Sequence, residues 1–343
     1  MMNRTEISQL GEFGLIDRLA AGVKKYQPTT QKGIGDDAAV MASSAANELY
    51  LLSADMLVEG VHFDLTYCPL QHLGYKAIAV NVSDIAAMNG IPRQATLSIG
   101  ISNRFSVEAL EALYEGVNLA CKQYNLDLVG GDTCSTKGGL VLSVSVLGSV
   151  AADKVTYRSG AADNDIVCVT GDLGGAYLGL QLLEREKKVF LDHPDMQPEL
   201  AGKDYIIGRQ LKPEARTDWV YELLELGVVP TAMIDVSDGL ASEIMHLCKN
   251  SGIGAVLFED KLPIHEMTYQ TALDFQISPT TAALNGGEDY ELLFTVKQAD
   301  YKKIEKHAQI TAIGYMTRSQ PGAWLHTRND QRFPIQAQGW VHF

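Results

Sequence analysis

The stretch Gly33-Ile34-Gly35-Asp36-Asp37-Ala38-Ala39-Val40 sets two adjacent carboxylates between glycines and the start of an apolar run. Like charges so placed make a poor core strand. Ser53-Ala54-Asp55, Val82-Ser83-Asp84, Gly130-Gly131-Asp132 and Ile234-Asp235-Val236-Ser237-Asp238 each repeat an acid in apolar or glycine-rich surroundings. At roughly 5 Å and an effective dielectric near 20, one carboxylate pair costs about 3 kcal/mol. A converging set therefore requires cations or takes up protons. With no His or Cys beside these acids, the donor set is all oxygen, which suits Mg²⁺ first, with Mn²⁺ or Ca²⁺ as substitutes.

The whole chain bounds what such a site serves. It has 343 residues, 46% hydrophobic and 20% charged, which is ordinary globular composition and long enough for two domains. A net charge of −14 disfavours nucleic acid and anionic membrane, since both need clustered Lys and Arg. Small, metal-chelated anions remain open. The five cysteines (Cys68, Cys121, Cys134, Cys168, Cys248) are odd in number and never Cys-x-x-Cys, so they read as buried thiols rather than disulfides or zinc ligands. No basic-then-apolar leader and no run of eighteen apolar residues occurs, which makes the cytoplasm the expected location.

In chain order, Phe13, Ile16, Leu19, Ala20 and Val23 have helical spacing, and Leu49 to Asp55 reads as a strand delivering Asp55 at its C-terminal end. Leu73, Ala77, Val80 and Asp84 fall at i, i+4, i+7 and i+11, which puts Asp84 on the buried stripe of an Ala-rich helix. Ile91-Pro92 breaks that helix, and Ala95 to Ile101 is the next strand. Ser106 caps a helix carrying Val107, Leu110, Tyr114, Val117 and Cys121 on one face. A strand from Leu126 to Val129 runs into Gly130-Gly131-Asp132-Thr133, where glycines allow close approach to a ligand. Alternation through Leu140, Leu142, Val144 and Val146 predicts a half-buried strand.

The polar stretch from Ala151 to Asn164 marks a domain boundary, giving units 1–152 and 153–343. Beyond it, Ile166 to Thr170 is a strand, and Gly171-Asp-Leu-Gly-Gly175 is a strand-to-helix turn that either binds phosphate or serves tight packing. Residues 184–204 read as a surface connection. Helices follow around Thr217–Leu226 and Asp238–Asn250, with strands near Ala255–Glu259 and Glu291–Val296. Strand-helix units recur in both halves, so the class is α/β or α+β.

Mg²⁺ commonly takes substrate phosphates as ligands, so many acids among glycines suggest a nucleoside triphosphate bridged to protein by several ions. Neither Gly-x4-Gly-Lys-Ser/Thr nor a His-Arg-Asp loop occurs, which removes the two commonest kinase folds. The ordered set Gly33-Ile-Gly-Asp-Asp37, Ser53-Ala-Asp55, His62-Phe63, Ala79-Val-Asn-Val-Ser-Asp84, Gly130-Gly-Asp-Thr133, Arg158-Ser-Gly160, Ile234-Asp-Val-Ser-Asp-Gly239 and Gly286-Gly-Glu-Asp-Tyr-Glu-Leu292 resembles the thiamine-monophosphate kinases. These motifs span nearly the full chain.

The resemblance implies the two-domain aminoimidazole ribonucleotide synthetase-like fold, with N-terminal domains pairing their sheets in a homodimer. It also implies transfer of the γ-phosphoryl group of ATP to thiamine monophosphate, giving thiamine diphosphate, with several Mg²⁺ ions per site. Carried over by motif position, Asp37, Asp55, Asp84, Asp132, Asp235 and Asp238 bind metal, with Ser53 and the Ala54 carbonyl assisting. Asp36 is their supporting neighbour. Tyr114, Gly131, Asp132, Arg158 and Ser237 contact ATP; His62, Glu288 and Trp340 contact the thiamine side. Trp340 stands where the family often has Tyr, and Ala54 where Thr is common. Other ATP-using members of the superfamily share the acids, and a nucleotide-binding dimer without turnover is the reading from a different class. The absence of a cysteine before Cys68 argues against the selenophosphate branch.

Overall fold

The computed structural model describes residues 9–338. A short helix, Gly11–Ala20 (α1), precedes a six-stranded sheet built from Thr30–Lys32 (β1), Ala39–Ala42 (β2), Glu48–Val58 (β3), Ile91–Ile101 (β4), Asp127–Ser135 (β5) and Val141–Ala151 (β6). The order is β1-β2-β3-β6-β4-β5, antiparallel except for the parallel pair β4 and β5. Two helices, Leu70–Ala87 (α2) and Val107–Tyr124 (α3), cover one face. They cross closely because glycines meet there: a Cβ on Gly116 would lie 1.8 Å from the Gln71 carbonyl oxygen, and one on Gly74 2.0 Å from that of Leu113. The Ser106 Oγ accepts from the Ala109 amide and caps α3 as expected.

The second sheet has seven strands: Ile166–Thr170 (β7), Ala232–Asp235 (β8), Gly254–Phe258 (β9), Leu292–Val296 (β10), Ile310–Thr317 (β11), Ala323–His326 (β12) and Arg332–Pro334 (β13), ordered β13-β12-β9-β11-β7-β10-β8. Its helices are Gly175–Asp192 (α4), Asp204–Leu211 (α5), Thr217–Glu225 (α6), Leu240–Ser251 (α7), Glu266–Asp274 (α8), Pro279–Asn285 (α9) and Gln298–Ile304 (α10). Val167, Val169, Ile234 and Leu293 face one apolar cluster, whereas Cys168, Met233, Leu292 and Phe294 face another. Covered on both faces, β7 and β10 are continuous apolar runs rather than alternating ones.

The junction is made by α2. Its Leu73, Ala77 and Ile78 belong to the first core, whereas Ala86 and Ala87 join the cluster under the second sheet. Every residue from Leu73 to Ala87 is buried except Asp84, which is half-buried. That exception places the acid where the two sheets meet.

Several expectations are corrected. Asp55 sits inside β3, which runs on to Val58, rather than at a strand end. The Gly130-Gly131-Asp132-Thr133 stretch is itself strand: Gly131 allows close approach to β4, since a Cβ there would meet the Leu97 carbonyl oxygen at 1.8 Å. Residues 184–192, read as connection, continue α4. Cys134 is exposed on the edge strand β5, whereas the other four thiols are buried.

Candidate active site

Three carboxylates converge from distant parts of the chain: Asp37 from the bend between β1 and β2, Asp84 from α2, and Asp235 from the end of β8. Each offers an oxygen within 4.8 Å of the others. Arg158 Nη2 donates to Asp37 Oδ1 at 2.6 Å, and its backbone amide donates to Asp36 Oδ1 at 3.1 Å. Asp36 Oδ2 is held by Lys32 at 2.6 Å. Of the two adjacent acids, Asp36 therefore ties the loop together, and Asp37 joins the cluster.

One guanidinium does not balance these acids. Burial pushes the Asp37 carboxyl up to about 7 against the opposing pull of Arg158. Burial likewise lifts Asp235 to about 6, although a 2.5 Å hydrogen bond from Ser83 Oγ and the charge of Arg158 favour its ionised form. Asp84 is raised well above the carboxylate range by burial and then by Asp55, Asp235 and Asp37. Asp55 is raised by burial and by Asp37. Asp37 Oδ2 is buried with no hydrogen-bond partner among the described residues. A buried, unpartnered carboxylate oxygen within reach of two other carboxylates fits a hard divalent cation.

The cluster opens into a cavity of about 1030 Å³, whose walls include Ala54, Asp55, His62, Arg158, Ser237, Asp238 and Glu288. Backbone amides of Ser237 and Asp238 donate to Glu243 at 3.2 and 2.8 Å, so the turn into α7 is pinned by a buried carboxylate. His62 Nδ1 accepts from the Val58 amide at 3.0 Å. Ser53 turns away and donates to the Asn81 carbonyl at 3.1 Å, while Asn81 Oδ1 accepts from the Asp55 amide at 2.9 Å. Of that pair only Ala54 faces the cavity.

Three expected site residues lie elsewhere in this protomer: Tyr114 and Gly131, expected at ATP, and Asp132, expected at both metal and ATP. Tyr114 packs against the first core, and Gly131 and Asp132 lie on exposed β5. None of the three lines the cavity. Trp340 lies outside the described residues. The glycine turn 171–175 serves packing: Asp289 accepts from the amides of Gly174 at 2.6 Å and Ala176 at 3.2 Å, so those donors are already taken. Glu243, Lys76 and Gln210 support the site without belonging to any of the motifs read in the sequence, and Asp289 belongs to one but acts in the turn rather than at the cavity. The signal for Lys76 was available, because a lysine inside an apolar helix stripe needs a buried partner.

Two sheets bridged by one helix, with acids drawn from both halves, define an AIR synthase-related architecture. The family description "AIR synthase related protein, N-terminal domain" matches residues 35–150. The fold is shared with the hydrogenase maturation protein HypE of E. coli, with a TM-score of 0.69 at 16% identity over 92% of this chain and 94% of that one. Within that class, this chain belongs to the thiamine-monophosphate kinase family. It is 34% identical to the thiamine-monophosphate kinase of Bacillus subtilis over 339 residues, 97% of this chain and all of that one. It also matches a solved structure described as AaThiL complexed with AMPPCP and TMP, with a TM-score of 0.83 and 32% identity over 99% of this chain and 100% of that one.

Proposed function

We propose that this protein is an ATP-dependent kinase that transfers the γ-phosphoryl group to the phosphate of thiamine monophosphate, producing thiamine diphosphate and ADP. The observation that carries this reading is the acid cluster of Asp37, Asp84 and Asp235 opening into one large cavity. The reaction brings two anions together. It therefore needs neutralised charge and in-line placement more than a strong base, because an ionised phosphate is already nucleophilic.

Asp37, Asp84 and Asp235 are the residues that would hold Mg²⁺, with Asp55, Asp238 and the Ala54 carbonyl on the same walls. When bound, Mg²⁺ supplies the positive charge that lets phosphates enter an acidic site. Arg158 adds a fixed cation at the cavity wall, and the pinned Ser237 turn frames the nucleotide side. His62 and Glu288 form the thiamine side, where Glu288 accepts from an aminopyrimidine or balances the thiazolium. Trp340 belongs to that side by family likeness.

We also assign residues 1–152 to nucleotide binding and dimerisation and 153–343 to the second unit. The change from one sheet to the other between Ala151 and Ile166 supports this division. The face of the first sheet away from α2 and α3 exposes Leu52 and Met56, and Val129 is exposed on β5. These features support a homodimer, in which the ATP contacts assigned to Tyr114, Gly131 and Asp132, and the metal contact assigned to Asp132, arise between protomers. No helix among the described residues is long and apolar enough to cross a membrane, which accords with a cytoplasmic assignment.

Incubation with Mg·ATP and thiamine monophosphate tests the reading. Equimolar ADP and thiamine diphosphate are expected. ATP binding with no thiamine diphosphate formed overturns it.

A further inference from the structure

Lysine is rarely buried unless paired, and Lys76 is only 2% exposed in the middle of α2. Its Nζ lies 2.8 Å from Glu288 Oε1 and 3.4 Å from the Gln210 carbonyl oxygen. The Gln210 side chain donates from Nε2 to the other Glu288 oxygen at 2.6 Å. Glu288 itself holds a left-handed backbone, φ 64°, and its amide donates to the Ser237 carbonyl at 2.7 Å. Backbone and both carboxylate oxygens are thus fixed from the protein side.

The arrangement has a cost that a simple tie between elements would not require. With Nε2 committed to Glu288, Gln210 Oε1 is left buried without a hydrogen-bond partner among the described residues. A carboxylate offers about four lone-pair sites, and two are used by Lys76 and Gln210. The Glu288 side chain remains 26% exposed at the cavity wall. We propose that Lys76 and Gln210 are positioning residues that hold Glu288 as a fixed acceptor for an N–H donor on a heteroaromatic, cationic substrate. Naming that substrate as thiamine monophosphate rests on the function proposed above.

The test uses the full-length protein and its Lys76→Met, Gln210→Met and Glu288→Gln variants, with steady-state kinetics in each substrate separately. Lys76→Met and Gln210→Met each raise KM for thiamine monophosphate by about ten- to a hundredfold, the range for losing a hydrogen bond to a charged group. KM for ATP stays within about twofold. Adding Lys76→Met to Glu288→Gln brings little further loss, since both act through one acceptor. Equal rises in both KM values, or a fall in kcat alone, overturns the inference and makes Lys76 structural. Should Lys76→Met fail to fold, Gln210→Met decides, because it leaves no buried charge unpaired. Should the wild type make no thiamine diphosphate, the functional reading falls separately. Calorimetric titration with thiamine monophosphate then tests the clamp alone, and equal affinity in wild type and Gln210→Met overturns it.

Discussion

Replacing Asp84 by Asn separates a functional acid from a structural one. Its carboxylate oxygen lies within 4.8 Å of Asp37 and Asp235, so at an effective dielectric near 20 each ionised pair costs about 3.5 kcal/mol. Proton uptake relieves part of this, because the folded state holds Asp235 up to about 6 and Asp37 up to about 7. Carboxyls raised on folding favour the native state most below their unfolded values near 4, and that contribution is lost as pH rises through about 6 and then about 7. The metal-free protein should therefore melt lower at pH 8 than at pH 5. Removing Asp84 takes out of the cluster an acid that Asp55, Asp235 and Asp37 all oppose and should return about 1 kcal/mol at pH 8, a rise of roughly 1–2 °C in Tm for a chain of 343 residues. Turnover should fall at least about a hundredfold, because an assigned metal ligand is gone. The assay is thermal unfolding of both proteins in EDTA and in Mg²⁺ across pH 5–8, beside thiamine diphosphate production. A variant that melts below wild type in EDTA at pH 8, with activity lost in proportion, would refute the assignment.

Other expectations follow from different parts of the fold. Because burial pushes the Asp37 carboxyl up to about 7, Mg²⁺ affinity should rise between pH 6 and 8 with proton release, read by calorimetry in buffers of different ionisation enthalpy. Asp289→Ala removes the acceptor for the Gly174 and Ala176 amides; it should cost about 1–3 kcal/mol of stability in denaturant melts, with KM for ATP little changed. Gly116→Ala drives a methyl into the Gln71 carbonyl and should destabilise by about 1–3 kcal/mol, with loss of Tm exceeding any loss of kcat in folded protein.

The acids of the cavity were legible because each breaks a local rule. Asp84 interrupts an apolar helix stripe, Asp235 ends an apolar strand, and Asp37 sits between glycines and a strand start. Their convergence was an inference from repeated cost. Alternation around Leu142, Val144 and Val146 likewise located β6, since its two faces meet different surroundings. What stayed hidden depends on the third dimension. The exposure of Cys134 follows from β5 lying last in the sheet order, which hydrophobic periodicity does not encode. The Lys76–Glu288 pair joins residues far apart in sequence, so neither position alone discloses the other. Asp289 is one more acid of a motif in the sequence, yet its carboxylate closes a turn more than a hundred residues away.

The distribution of the acids along the chain also bears on biosynthesis. Asp37, Asp55 and Asp84 all leave the ribosome before the first sheet is completed at Ala151, whereas Arg158 follows and Asp235 comes later still. The N-terminal half thus carries three of the cavity's acids, while Arg158, which donates to Asp37, belongs to the chain that follows. The strand that carries Asp235, β8, gains its neighbour β10 only once Leu292–Val296 has been made. The three-carboxylate cluster of Asp37, Asp84 and Asp235 therefore cannot assemble until long after the strands of the first sheet have been made.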